Sequence, residues 1–149
     1  MEIKIEDASI RLLDELYGIE KQCFKLEAFS KKQIAYLLTD YNSVSLAARV
    51  NNELAGFIIG QIEIEQNVAL GHIITLDIAP NFHRKGVAQK LLQEIETIFK
   101  DKGLKECRLE VREDNAAALN LYQKAGYREA AKLEHYYSNA HGLYLRKIL

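Results

Sequence analysis

The strongest constraint in the chain lies between residues 72 and 103. A β-rich apolar run, HIITLDIA, ends at Pro80, the only proline, and a basic turn then leads to Gly86. From Gly86 to Lys102 a helix keeps Leu91, Leu92, Ile95, Ile98 and Phe99 on one stripe, and Gly103 closes it at a C′-type position. A helix start already carries partial positive charge and unpaired N–H groups. Arg84 and Lys85 are therefore mildly unfavourable there unless an anion sits on them. Gly86 and the small Ala88 let a ligand approach the backbone, and successive N–H groups in such a turn suit a pyrophosphate. The turn fits neither the G-x-x-x-x-G-K-[ST] phosphate loop nor the G-x-G-x-x-G dinucleotide turn. Taken alone, it reads equally as an anion cradle and as a solvated strand-to-helix turn.

Periodicity supplies the remaining elements. Ile3 and Ile5 alternate with charge in a short strand. Residues 9–24 place Leu12, Leu13, Leu16, Tyr17 and Ile19 on a helical stripe, and Ser30 is the expected N-cap of a second helix holding Ile34, Leu37 and Leu38. SVSLAARV and LAGFIIGQIEI flank Asn51-Asn52-Glu53, a hairpin signal. In KECRLEV, Cys107, Leu109 and Val111 fall on one strand face and Arg108 and Glu110 on the other. Residues 115–124 read as a short helix ended by Gly126, with strands following near 127–137 and 143–148. No repeat, linker or low-complexity segment interrupts this order. The 149 residues predict one domain, 1–149, with the order βααβββαβαββ: an α/β fold in which helices cover both faces of a central mixed sheet.

A net charge of -1 and a pI near 6.4 supply no global field for nucleic acid or anionic membrane, so neither is expected as a partner. No apolar stretch approaches the ~20 residues of a membrane span, and the start, MEIKIEDAS, lacks the apolar segment of a signal peptide. Cys23 and Cys107 show neither metal nor disulfide spacing. The expectation is a cytoplasmic protein without a metal.

Two longer stretches narrow the reading. HIITLDIAPNFHRKGVAQKLL, followed by LEVREDNAAALNLYQKAGY, resembles the GNAT superfamily of acetyl-CoA-dependent N-acetyltransferases. The resemblance is strong over residues 71–127 and extends by element order over nearly the whole chain. The superfamily signature [Q/R]-x-x-G-x-[G/A] reads here as His83-Arg84-Lys85-Gly86-Val87-Ala88, with His83 in place of Gln or Arg. A backbone cradle does not depend on that side chain, so the resemblance implies that the anion is the CoA pyrophosphate. GHIITLDI, LEVREDNAAALNLYQKAGY and YYSNAHGLYLRK look like the protein N-terminal acetyltransferases, the branch holding the RimI-like and arrest-defective enzymes. By that resemblance Leu76, Asp77 and Ile78, with Arg84, Lys85, Gly86, Val87, Ala88 and Gln89, bind acetyl-CoA, and Asn115 contacts it. Glu110 is the implied base and Tyr122 the implied acid. Leu26 and Glu27 in CFKLEAFS, with Tyr136 and Tyr137, look like the peptide-binding positions.

Acetyl transfer requires a neutral amine, a polarised thioester carbonyl and a proton for the leaving thiolate. With pKa values near 8 and 10.4, an α-amine and a lysine cost roughly 1.4 and 4.6 kcal/mol to neutralise at pH 7. Modest help from a base such as Glu110 therefore suffices for a protein N-terminus. His72 competes for that role: it is expected on one strand face with Ile74 and Leu76, and a pKa near 6.5 suits proton transfer. The other reading of His72 is structural. Tyr122 fits a donor to a thiolate of pKa near 8.5, and a backbone N–H near Ile78 would meet the oxyanion. Cys107 faces the core with Leu109 and has no histidine nearby in sequence, so it is not expected as a nucleophile. The expected function is direct acetyl transfer, in a ternary complex, from acetyl-CoA to the α-amine of a protein or peptide N-terminus. Acetylation of a lysine or small amine, and a non-catalytic CoA-binding regulatory module, are the alternatives.

Overall fold

Alternating apolar residues form seven strands that join into one sheet in a computed structural model describing residues 1–149. The strands are β1 (Ile3–Asp7), β2 (Ser43–Val50), β3 (Glu53–Glu65), β4 (Val68–Ile78), β5 (Glu106–Arg112), β6 (Arg128–Tyr137) and β7 (Ala140–Ile148). The helices are α1 (Leu13–Cys23), α2 (Lys31–Thr39), α3 (Val87–Asp101) and α4 (Ala116–Lys124). Strand order is β1-β2-β3-β4-β5-β7-β6, antiparallel throughout except between β4 and β5. Element order and sheet type are those read from the sequence.

Local chemistry sets the boundaries. Ser30 caps α2 in a capping box with Gln33. Ser9 caps a 3-10 turn, Ile10–Leu12, that precedes α1, so the first helical stretch is divided. The β2–β3 turn is the two-residue Asn51-Asn52, both left-handed at φ 52 and 67, and Glu53 already belongs to β3. Asparagine tolerates that conformation better than most residues. Gln66-Asn67 repeats the device between β3 and β4, a hairpin that the apolar runs do not announce.

The sheet separates two cores. On one face α1 and α2 bury Leu16, Ile19, Ile34 and Leu37 against Phe57 and Ile59. On the other, α3 buries Val87, Leu91, Leu92, Ile95 and Phe99, with Ile98 half-buried at the edge of the expected stripe. Each fully buried side chain of this size contributes about 2 kcal/mol.

One irregularity creates the site. The β3–β4 pairing shifts between Ile59 and Gly60, from Ile59↔Thr75 to Gly60↔Ile73, so Ile74 is an extra residue on β4. A bulge reverses the alternation of faces beyond it. Leu76 thus packs toward the α3 core and Ile74 toward the α1–α2 core. His72, Ile74 and Leu76 therefore do not share the one face expected from strict alternation. β4 and β5 pair only at Gly71↔Cys107 and His72↔Arg108 and then part, leaving a gap through the sheet.

Candidate active site

A cleft of about 680 Å³ occupies that gap. Ile73, Leu76, Leu109, Val111, Ala118 and Tyr122 line its α3–α4 side; the α1–α2 side is polar, with Glu20, Thr75, Glu27, Glu110 and Arg112. Glu110 and Tyr122, which the sequence paired as base and acid, both border it.

Period-2 alternation along β5 turns Glu110 away from Leu109 and Val111 and toward β4. There its Oε1 lies 2.7 Å from His72 Nε2, and Glu63 Oε2 lies 2.8 Å from His72 Nδ1. The two competing bases are thus one bonded pair. Burial disfavours the charged ring, but the hydrogen bonds and charges of Glu110 and Glu63 outweigh it and push His72 up to about 9. At neutral pH the imidazole is a cation donating from both nitrogens and has no lone pair for a proton. Both ring nitrogens of His72 are thus occupied by carboxylates, which fits a partner of Glu110 better than a free base, and Glu110 Oε2 makes no hydrogen bond.

Tyr122 is 7% exposed and packs edge-on against Tyr127 with ring centroids 5.6 Å apart. Burial first, then the charge of Asp77, raises its phenol well above the ordinary value, so it keeps its proton and is a donor only. Asn115 caps α4, its Oδ1 accepting from Ala118 N at 3.1 Å, while the residue lines the cleft. Cys23 donates Sγ–H to Ile78 O, and burial with the nearby Asp77 pushes its thiol up to about 12. Cys107 is fully buried and likewise raised to about 12, chiefly by burial, which excludes a nucleophile there.

Asp77 requires a correction as a cofactor residue. Its side chain is fully buried on the α1 side of β4, bonded to the Thr75 hydroxyl, which also lies 3.1 Å from Glu20 Oε1. Burial and the neighbouring Glu20 raise its carboxyl well above the usual range, and Oδ2 has no partner. Burial keeps this side chain out of the cleft, whose lining lacks Asp77. Leu76 and Ile78 point the other way, with the α3 core. The Ile78 carbonyl is met by Cys23 Sγ and by His83 Nε2 at 2.8 Å, and Ala79 N–H returns to Ala55. Within a strand, a residue's N–H and C=O share an edge, so the Ile78 N–H faces the gap. His83, at the first signature position, is turned back on its own strand end.

At the start of α3, Gly86 is left-handed at φ 81 and Arg84 at φ 61. Unlike α2 and α4, this helix has no side-chain cap. The first helical hydrogen bond is Lys90 N to Gly86 O, which leaves the N–H groups of Val87, Ala88 and Gln89 facing outward. A Cβ built on Gly86 meets nothing within 4 Å, so the space above this end is open. The turn and the residues Arg84, Lys85, Gly86, Val87, Ala88 and Gln89 therefore fit a pyrophosphate.

The cleft mouth is braced by a residue the sequence reading passed over. Arg112 pairs with Glu27, bonds Asp114 at 2.9 Å and Asn139 at 2.7 Å, and stacks over the Tyr137 ring at 5.6 Å. It ties the α1–α2 loop to the β6–β7 hairpin. Glu27, expected as a peptide-binding carboxylate, is paired with it. Tyr137 lines the cleft and packs edge-on with Tyr136 at 4.9 Å; Tyr136 stands exposed outside it, while the exposed Leu26 borders the cleft. The signal for Arg112 was its place two residues past Glu110 on the same strand face. Nothing comparable marked Glu63 or Glu20.

Comparison with known proteins agrees with this geometry. The model of the "Acetyltransferase (GNAT) family" matches residues 12–127. An N-alpha-acetyltransferase of Sulfurisphaera tokodaii is 28% identical over 97% of this chain and 91% of its own. N-alpha-acetyltransferase 30 of Schizosaccharomyces pombe is 30% identical over 76% of each chain. The structure of Arabidopsis thaliana NAA60 in complex with acetyl-CoA superposes with a TM-score of 0.89 over 99% of both chains, at 18% identity. Signature turn, bulged β4, splayed β5 and family match converge, and the chain belongs to the GNAT family of acetyltransferases.

Proposed function

We propose that the chain transfers the acetyl group of acetyl-CoA to the N-terminal α-amine of a protein or peptide, directly and with both substrates in the cleft. The observation that carries this reading is the gap between β4 and β5, with Glu110 on one side and the Tyr122 donor on the other. The N-alpha-acetyltransferase names of the relatives support an α-amine acceptor, and the neighbour solved with acetyl-CoA supports the donor.

Bound acetyl-CoA supplies an acyl group on a thiol leaving group. The N–H groups of Val87, Ala88 and Gln89, with Arg84 and Lys85, hold the pyrophosphate. The Ile78 N–H takes the carbonyl oxygen. Glu110 Oε2 accepts the amine proton while His72, steadied by Glu63, fixes the carboxylate in place. The Tyr122 hydroxyl would give its proton to the departing sulfur and regain one from solvent in the open cleft, and Asn115, which lines that cleft, would donate Nδ2–H toward the cofactor. The peptide enters between the α1–α2 loop, with Leu26 and Glu27, and the β6–β7 hairpin, with Tyr136 and Tyr137. Residues 1–149 act as one unit. Two free thiols fit a reducing, cytoplasmic compartment, and no helix is long and apolar enough to cross a membrane.

A peptide library incubated with acetyl-CoA and read by mass spectrometry tests the reading. Gain of 42 mass units, about one acetyl, on free-N-terminus peptides and not on N-terminally blocked ones is expected. Transfer only to small amines would refute it.

A further inference from the structure

The β6–β7 hairpin carries an unusual joint beside the two tyrosines. Leu133 pairs with Gly142 and Tyr137 with Ala140, so three residues of β6, Glu134, His135 and Tyr136, face the single residue His141. A bulge of this size strips the backbone of its ladder partners. His135 is left-handed at φ 54, a conformation that costs a non-glycine residue about 1 kcal/mol. Its N–H donates to His141 Nδ1 at 2.8 Å, and the two rings meet edge-on at 4.7 Å. The side chain of His141 thus replaces the acceptor that the strand has lost. Gly142 completes the seat: a Cβ there would lie 3.2 Å from Tyr136 Cβ and 3.2 Å from the Tyr137 ring.

We infer that His141 is a positioning residue for peptide binding: as a neutral imidazole it holds the bulge that carries Tyr136 at the cleft mouth and presents Tyr137 to the cleft, and protonation releases it. The inference rests on the reading above that these tyrosines receive the peptide. A backbone N–H can only donate, so the observed bond requires a bare Nδ1 and a proton on Nε2. A proton added to Nδ1 turns the acceptor into a second donor, and the bond is lost. Imidazole is the side chain that makes this change between pH 5 and 8. The titratable and charged groups around His141 are Lys132, Glu134 and His135 on β6, Arg112 at the end of β5, and Glu113 and Asp114 on the turn after it. Glu113 is engaged by Lys132 at 3.5 Å and Asp114 by Arg112 at 2.9 Å, while the Glu113 N–H bonds the His141 carbonyl.

The test compares the full chain with His141→Asn and His141→Ala, measuring KM for peptide at saturating acetyl-CoA from pH 8 to pH 5.5. Asparagine keeps an acceptor near the Nδ1 position and does not titrate. Protonation of the peptide amine is common to all three proteins, and His72, held up to about 9, stays charged throughout. Relative to His141→Asn, the native protein's KM should rise roughly three- to tenfold on acidification, the equivalent of one hydrogen bond. His141→Ala should show the raised KM at every pH. Nitrogen-15 NMR at pH 8 should find the His141 proton on Nε2. Coincident profiles for the native and Asn proteins, or a proton on Nδ1, would overturn the proposal. Tyr137→Ala separates the two layers. If it raises KM while those profiles coincide, only the role of His141 falls; if its KM is unchanged, the peptide reading and the role of His141 fall together.

Discussion

On the proposed reading the proton leaving the α-amine goes to Glu110 Oε2, since Glu110 Oε1 is bonded to His72. Glu110→Gln should therefore lower kcat about 10²- to 10³-fold and move its pH dependence upward, since the amine must then lose its proton unaided. Tyr122→Phe should cut kcat on a similar scale while acetyl-CoA affinity by calorimetry changes less than about twofold, since that hydroxyl acts on the leaving sulfur. Both are to be read at saturating peptide, so that product release does not mask the chemical step. A silent Glu110→Gln together with an inactive His72→Ala would mean the base is misassigned. Residue chemistry was legible where alternation alone decides the facing, as for Glu110 on β5. It was illegible for His72 and Asp77, because the bulge at Ile74 changes which face each residue of β4 takes, and a bulge leaves no periodic mark.

The element that says most about the cofactor is the uncapped start of α3. Its basic turn, glycine at 86 and apolar stripe were all visible in the sequence because glycine, charge and 3.6-residue periodicity are local properties. Gly86→Glu should weaken CoA binding at least tenfold by calorimetry. An added Cβ meets no atom within 4 Å, so the substitution costs about 1 kcal/mol for its φ, and the loss of binding comes from a carboxylate facing the pyrophosphate. Unchanged affinity in a folded variant would remove the turn from the cofactor site. The α1–α2 loop was harder to read. Glu20 Oε2 holds Phe29 N at 3.1 Å at its base and Arg112 holds Glu27 at its tip. Both contacts join residues distant in sequence, which periodicity does not report.

Across the whole molecule, the sheet is braced where β3, β4 and β5 meet by the Glu63–His72–Glu110 array. His72 has a folded pKa near 9 against an unfolded value near 6.5. A raised pKa contributes stability that is fully present below pH 6.5 and is lost as pH rises through about 9. The loss amounts to roughly 1–3 kcal/mol for a half-buried, coupled group. Tm should accordingly fall between pH 6.5 and 9, and His72→Gln should flatten that fall; an unchanged slope in the variant would place the linkage elsewhere. The sheet order and two-sided helix cover were legible because each element carries its own pattern, whereas the parting of β4 from β5, and hence the cleft, depends on long-range pairing. The measurement that bears most directly on the whole account is localisation of the acetyl group. A peptide with a free N-terminus and an internal lysine, incubated with the protein and acetyl-CoA, should gain one acetyl group, which fragmentation spectra place on the α-nitrogen of its first residue. Acetyl found chiefly on the lysine, or undiminished transfer after the N-terminus is blocked, would contradict the α-amine assignment.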